Sequence, residues 1–211
     1  AALIVWTAVS AIPDIGSVFV SPVKVWNALV ENISSGYLWI QVRDSLIRVI
    51  GGFLLGFICS IPVAFLLGWY EGFRVIVEPW IQFLRTIPPI ALIPIVIATF
   101  GIGTSAKVAI IFFAVFLTMV VTIYQGVKNV DVTLIKAARV FDANDAQIFI
   151  NVVVPASIPY ILTGVRLGLA SALTTLVAAE LTGAATGLGT MIQQAGMYFN
   201  CLLYTSDAAD E

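Results

Sequence analysis

Charge is scarce in this chain, so its chemistry must be read from the few residues that carry it. Its 211 residues include ten lysines and arginines, twelve aspartates and glutamates, and no histidine. Asp131, Lys136, Arg139, Asp142 and Asp145 crowd into residues 129–159, NVDVTLIKAARVFDANDAQIFINVVVPASIP. Such a group suits docking and ion pairing rather than bond breaking. The absence of histidine removes the commonest metal ligand and the usual base near neutral pH. Cys59 and Cys201 cannot make a disulfide framework or a zinc site, and Cys59, inside an apolar run, reads as a small buried apolar residue. Arg85 and Arg166 offer something different. Each is a guanidinium set in an apolar run, where a charge faces a cavity or a partner. A guanidinium suits an oxyanion; the alternatives are snorkelling to the headgroups or pairing with a carboxylate such as Glu78. The run GIGTSAK (101–107) is no phosphate loop, because it lacks Gly before Lys107 and Ser or Thr after it. No other stretch supplies one, so this chain is expected to bind no cofactor.

These residues are held by strongly apolar elements. The chain is 60% hydrophobic and 10% charged, with mean hydropathy +1.04, whereas soluble domains carry about 25% charged residues. That composition predicts an all-α polytopic membrane protein, and a net charge of −2 gives no reason to expect nucleic acid as a partner. Residues 1–12 are apolar but shorter than the roughly 20 a span needs, and read as the end of a truncated helix, with Pro13, Asp14 and Gly16 marking an exit to water. Ser21 and Pro22 look like an N-cap followed by Pro at the first helical position. Residues 23–33 read as an interfacial helix, with Trp26 and Trp39 at headgroup level. Residues 45–70 are the first complete span, with Gly52 and Gly56 spaced for close packing, between helices of one subunit rather than at a dimer seam, which is the alternative, and a kink expected at Pro62; a tight turn at 68–74 follows. Residues 75–100 contain Arg85, Pro88, Pro89 and Pro94, a poor continuous helix, and broken helices lie where they line a cavity or pack on protein. Residues 107–124 and 160–181 are further spans, the last opened by Pro159, carrying Arg166 with Gly164 and Gly168, and ended by Glu180. A Gly-rich turn, TGAATGLG (182–189), and a short helix from Met191 follow.

The polar island lies between two of these spans and so belongs in water. Ala137, Val140, Phe141 and Ile148 fall at helical spacing while Lys136, Arg139 and Asp145 point elsewhere, which predicts an amphipathic helix or helix pair with a face to bury. The flanking spans cannot bury all of it, so it calls for a protein partner.

The island resembles the cytoplasmic loop of ABC importer permeases, whose pattern is Glu-Ala-Ala, three residues, Gly, nine residues, then Ile-x-Leu-Pro. Here the spacing is kept by Lys136-Ala137-Ala138, Asp142 and Val152-Val153-Val154-Pro155, with Lys136 in place of Glu and Asp142 in place of Gly. Asp accepts turns better than most residues, so Asp142 is expected to keep the bend. The runs SPVKVW, RTIPPIALIP, FGIGTSAK and LTGVRLGLASALTTLVAAELTGAATGLG are similar to the nitrate, sulfonate and taurine branch of that family, and the likeness covers nearly all of residues 1–200.

The resemblance implies the type I permease fold in a bacterial plasma membrane, as a fragment lacking its N-terminal start and final span. Residues 1–40 would be the truncated first span and periplasmic segment, and 41–200 the permease domain. The coupling helix would use Lys136, Ala137, Ala138, Arg139, Phe141, Asp142, Ala143, Asp145 and Pro155 to dock a separate ATPase dimer, which would hold the ATP and Mg. It also implies a periplasmic or lipid-anchored substrate-binding protein, a second permease copy around a shared pore, and lipid contact. A substrate pathway would draw on Arg85, Pro88, Pro89 and Arg166. A secondary transporter is the alternative; it would need an intramembrane carboxylate or histidine relay, and Glu180 is the one candidate acid after the island. Residues 201–211, CLLYTSDAADE, resemble an in-frame translated sequencing adapter; without Asp207, Asp210 and Glu211 the formal charge moves from −2 to +1. Lys128, Lys136 and Arg139 on one side and Lys24, Arg43 and Lys107 on the other leave orientation undecided by charge; the resemblance places the island in the cytoplasm.

Overall fold

The computed structural model describes residues 6–7, 22–182, 186–194 and 196. The expectations for residues 1–5, 8–21, 183–185 and 201–211, including the cap at Ser21, lie outside them. Among the described residues there are helices and turns and no strand. The chain divides into two compact units, Ala1–Asp44 and Ser45–Glu211.

In the first unit, α1 (Pro22–Ser34) begins with proline at its first position, where the missing N–H costs nothing. Val23, Trp26 and Val30 are exposed on it, as is Trp39 beyond it, in keeping with a helix lying at a membrane interface.

α2 (Tyr37–Trp69) starts eight residues before the expected span and continues through Pro62. The expected turn at 68–74 shrinks to Tyr70 alone, because α3 (Glu71–Thr86) begins at once. Cys59 is exposed rather than buried; it lies on the outer side of α2 with Leu55 and Ile58, where apolar surface meets lipid or another chain.

The interrupted segment breaks where the prolines require it. A residue before proline is pushed out of the α region, and both Ile87 (ψ 116°) and Pro88 (ψ 129°) are extended. A 3-10 turn, Pro89–Leu92, then leads into α4 (Ile93–Phe100), with Pro94 in its first turn. The two halves are bent by 89°.

α5 (Thr104–Lys128) is the core of the second unit. Ile111, Val115, Met119, Val120 and Ile123 along it are fully buried, which is why it shows little amphipathic patterning. Its neighbours approach through glycine. A methyl group on Gly52 would lie 2.6 Å from Ile111, and one on Gly56 2.7 Å from Val115, so the glycine pair packs α2 onto α5 within one chain, as small-residue spacing predicts. On the other side, Gly168 of α8 (Val154–Leu181) meets Met119.

Between α5 and α8 lie α6 (Val132–Val140), α7 (Asp145–Ile148) and a π-helical turn, Phe149–Val153. The π turn sits just ahead of Pro155, whose missing N–H interrupts the ordinary ladder. α7, the π turn and α8 form one run, so the last span starts at Asp145 rather than residue 160 and carries Pro159 inside it. By length and composition, Tyr37–Trp69, Thr104–Lys128 and Asp145–Leu181 can cross a membrane, and the bent pair makes a fourth if it is one span. A short helix, α9 (188–194), follows the Gly-rich turn.

Candidate functional site

The island is built by local signals. Asp131 caps α6: its carboxylate accepts the Thr133 N–H at 2.8 Å, satisfying one of the free donors of the first turn. α6 ends in a Schellman motif, with the Asp142 N–H donating to the Arg139 carbonyl and the Ala143 N–H to the Ala138 carbonyl. This turn needs a left-handed residue, and Asp142 has φ 56°, the one non-glycine with positive φ among the described residues. Aspartate is one of the few side chains that tolerate it, so the bend is kept where the resemblance would have glycine. Asn144 then opens α7 with a capping box: its side chain accepts the Gln147 N–H, and Gln147 accepts the Asn144 N–H.

The bend divides the apolar residues that periodicity placed on one face. Ile148 is fully buried, and Ala138 and Ala143 are half-buried against the core. Phe149 is wedged edge-on against Phe65 and Trp69, ring centres 5.4 Å from each. Val140 and Phe141 point the other way, 82% and 85% exposed. Lys136, Ala137, Arg139, Asp142, Asp145 and Pro155 are exposed as well. Arg139 and Asp145 pair across the bend at 3.4 Å, a surface contact worth at most about 1 kcal/mol. The tip is therefore an apolar knob of Val140 and Phe141 set in a ring of charge.

The cap makes a specific expectation. The Thr133 N–H holds the Asp131 carboxyl below the usual carboxylate range. A depressed carboxyl supports the helix fully above its unfolded pKa and loses that support as pH falls through the lower, folded value. At neutral pH the cap is intact, so Asp131→Ala should raise amide hydrogen exchange in the first turn of α6 several-fold at pH 7. The same substitution should change little once the pH is low enough to protonate Asp131.

The arginines of the apolar runs are not brought into a pair. Arg85, in the last turn of α3, and Arg166, midway along α8, are both exposed and make no ion pair among the described residues. Glu78 is not their partner, since its carboxylate accepts the Tyr124 hydroxyl at 3.1 Å. Pro88 is exposed and Pro89 half-buried at the break between α3 and α4.

A second polar centre lies at the other end of the bundle. Glu180, read from the sequence as the end of a span, is completely buried. It pairs with Arg48 of α2 at 2.8 Å, the two side chains 0% and 5% exposed. The Ser45 hydroxyl and the Gly189 N–H also donate to it, while Arg48 donates to the Thr186 carbonyl and hydroxyl. Ser45 in turn accepts the Leu188 N–H. Residues 186–189 are thus clamped onto α2 and α8. Gly187 is obligatory there: its φ is 133°, and a methyl group would fall on the Glu180 carboxylate. Lys107, which the sequence placed at the start of a span, is buried beside this centre. The signal was present, an arginine and an acid each deep in apolar sequence, but Arg48 and Glu180 are 132 residues apart and nothing local joins them.

Comparison with known proteins identifies the architecture. A probable ABC transporter permease protein of Brucella melitensis is 53% identical over 179 residues, covering 85% of this chain and 73% of that protein. The taurine transport system permease protein of Escherichia coli is 35% identical over 202 residues, covering 93% of this chain and 74% of its own length. Among solved structures, the inward-facing MetNI methionine ABC transporter aligns with TM-score 0.65 and 23% identity, over 76% of this chain and 80% of that chain; this is a likeness of fold. Residues 52–205 match the model of the binding-protein-dependent transport system inner membrane component, and the chain belongs to that family of ABC transporter permeases.

Proposed function

We propose that this permease is the pore-forming subunit of an ATP-driven importer for a small anionic or zwitterionic solute of the nitrate, sulfonate or taurine kind. The observation that carries the reading is the exposed Val140–Phe141 knob. Two large apolar side chains are held out by a capped, rigid turn between two spans, and a groove on a separate ATPase subunit is the occupant that accounts for them. ATP and Mg belong to that ATPase dimer, and this chain breaks no bond. A substrate-binding protein delivers solute at the opposite end, and a second copy of the permease completes the pore, in a bacterial plasma membrane. Docking drives transport because the ATPase state favours one arrangement of the spans over the other. Similarity to a taurine permease supports the solute class, since taurine combines a sulfonate with an ammonium group.

Arg85 and Arg166, on exposed faces and paired with no carboxylate among the described residues, suit the wall of an anion pathway, with Pro88 and Pro89 shaping its bend. Secondary transport would need an intramembrane acid free to exchange its proton, whereas Glu180 is committed to Arg48, Ser45 and the Gly189 N–H. The test is uptake of labelled taurine, an alkanesulfonate or nitrate by vesicles containing full-length permease. Vanadate-sensitive uptake should appear with the cognate ATPase and binding protein and be absent without the ATPase. Uptake that ignores the ATPase would overturn the importer reading. In the same assay Arg166→Gln should lower uptake about tenfold, the scale of one lost charged hydrogen bond; unchanged uptake would remove Arg166 from the pathway.

A further inference from the structure

The buried centre at the far end of the bundle is electrically unbalanced. Lys107 is 6% exposed and lies within electrostatic range of both Arg48 and Glu180, so among the described residues two cations share one carboxylate. Glu180 has little left to offer, its oxygens already accepting from Arg48, Ser45 and the Gly189 N–H. Lys107 makes no ion pair or hydrogen bond among the described residues, and the Arg48 Nε is buried with no acceptor. Asp44 is engaged with Arg43, and after Glu180 the sequence has no acidic residue before Asp207. Lys107 also lies near the start of α5, where the helix dipole disfavours a cation. An excess positive charge withdrawn from water is costly unless an anion joins it.

The position is equally informative. α5 runs from Thr104 towards the island and α8 away from it, so Lys107 and Glu180 share the end of the bundle opposite the docking knob. We infer that Lys107 and the Arg48 Nε form a binding site for one small monovalent oxyanion at that end. The ammonium supplies a point charge and the guanidinium edge a directed donor, a combination suited to a nitrate, sulfonate or phosphodiester oxygen. Glu180 holds the arginine in place and limits the site to a single negative charge. The inference rests on the importer reading only for its meaning, a first stop for an incoming anion; binding itself needs no ATPase.

The experiment is a thermal-shift titration of full-length permease in phosphatidylcholine nanodiscs, with sodium nitrate and sodium methanesulfonate against sodium chloride at equal ionic strength. A parallel arm uses phosphatidylglycerol nanodiscs without added oxyanion, which separates a lipid headgroup from a free anion as the source. At least one arm should give an oxyanion-dependent rise of about 5 °C at saturation. Lys107→Gln should weaken the apparent affinity at least about tenfold, and Lys107→Arg should restore it. Arg48→Lys, which keeps the charge opposite Glu180 and removes Nε, should weaken it independently. No oxyanion-dependent response in any arm, or an undiminished one in both Lys107→Gln and Arg48→Lys, overturns the site. Failure of ATP-dependent uptake would overturn the importer reading and leave this titration standing.

Discussion

Phe141→Ser should strip the permease of its ATPase. In co-purification with the cognate ATPase, recovery is expected to fall at least about 30-fold, the effect of losing an aromatic anchor worth about 2 kcal/mol from the centre of an interface. ATP-dependent uptake should fall with it. The substitution is clean because Phe141 is 85% exposed and belongs to no apolar cluster among the described residues, so the permease itself should lose no more than about 0.5 kcal/mol of stability. Ala137 is the companion test. It is exposed on the same short helix, and Ala137→Trp should block close approach without disturbing the core. Ala138 is less useful, since it is half-buried against the core and a bulky residue there would strain the fold. Undiminished ATPase recovery with both Phe141→Ser and Ala137→Trp would refute docking through this tip.

The largest expected effect on stability is at Glu180. Glu180→Ala leaves Arg48 buried without its counter-charge and releases residues 186–189 from α2 and α8. Breaking a buried pair from one side costs about 3–5 kcal/mol, which should lower the melting midpoint by about 10 °C. Glu180→Gln keeps an acceptor for Ser45 and Arg48 and should fall between Glu180→Ala and the parent. Replacing both partners, Arg48→Met with Glu180→Leu, should recover much of the loss, because it removes the uncompensated charge rather than exposing it. A Glu180→Ala protein melting within 2 °C of the parent would show that the clamp does not hold the fold.

These two sites also mark how far the sequence could be read. The island's helices, the break at Pro88 and Pro89, and the close packing at Gly52 and Gly56 were legible because each follows from residues within a few positions of one another. The division of the island's apolar residues was not. Periodicity assigned Val140, Phe141 and Ile148 to one face, but the left-handed Asp142 resets the helical phase between them, so Ile148 turns inward while Val140 and Phe141 stay outside. The starts of the spans were misplaced for a related reason. The first span was expected to begin at Ser45, yet Ser45 and the polar Gln41 before it are both buried, and the helix runs straight past them. Lys107 read as the start of a span and Glu180 as the end of one, and only the packing of α2, α5 and α8 brings Arg48 and Lys107 beside Glu180. Contacts that span more than a hundred residues leave no trace in spacing.

The unbroken course of α8 restricts how such a chain can change over generations. Its start adjoins the π turn and its far end carries Glu180, about 40 Å away at 1.5 Å per residue. Adding or deleting one residue in between would rotate everything beyond it by about 100° and swing Glu180 away from Arg48. Descendants can therefore exchange side chains on the exposed side of this rod, but its length is locked. The wider turn at Phe149–Val153 is the one place where a stray residue could be absorbed without turning the rest.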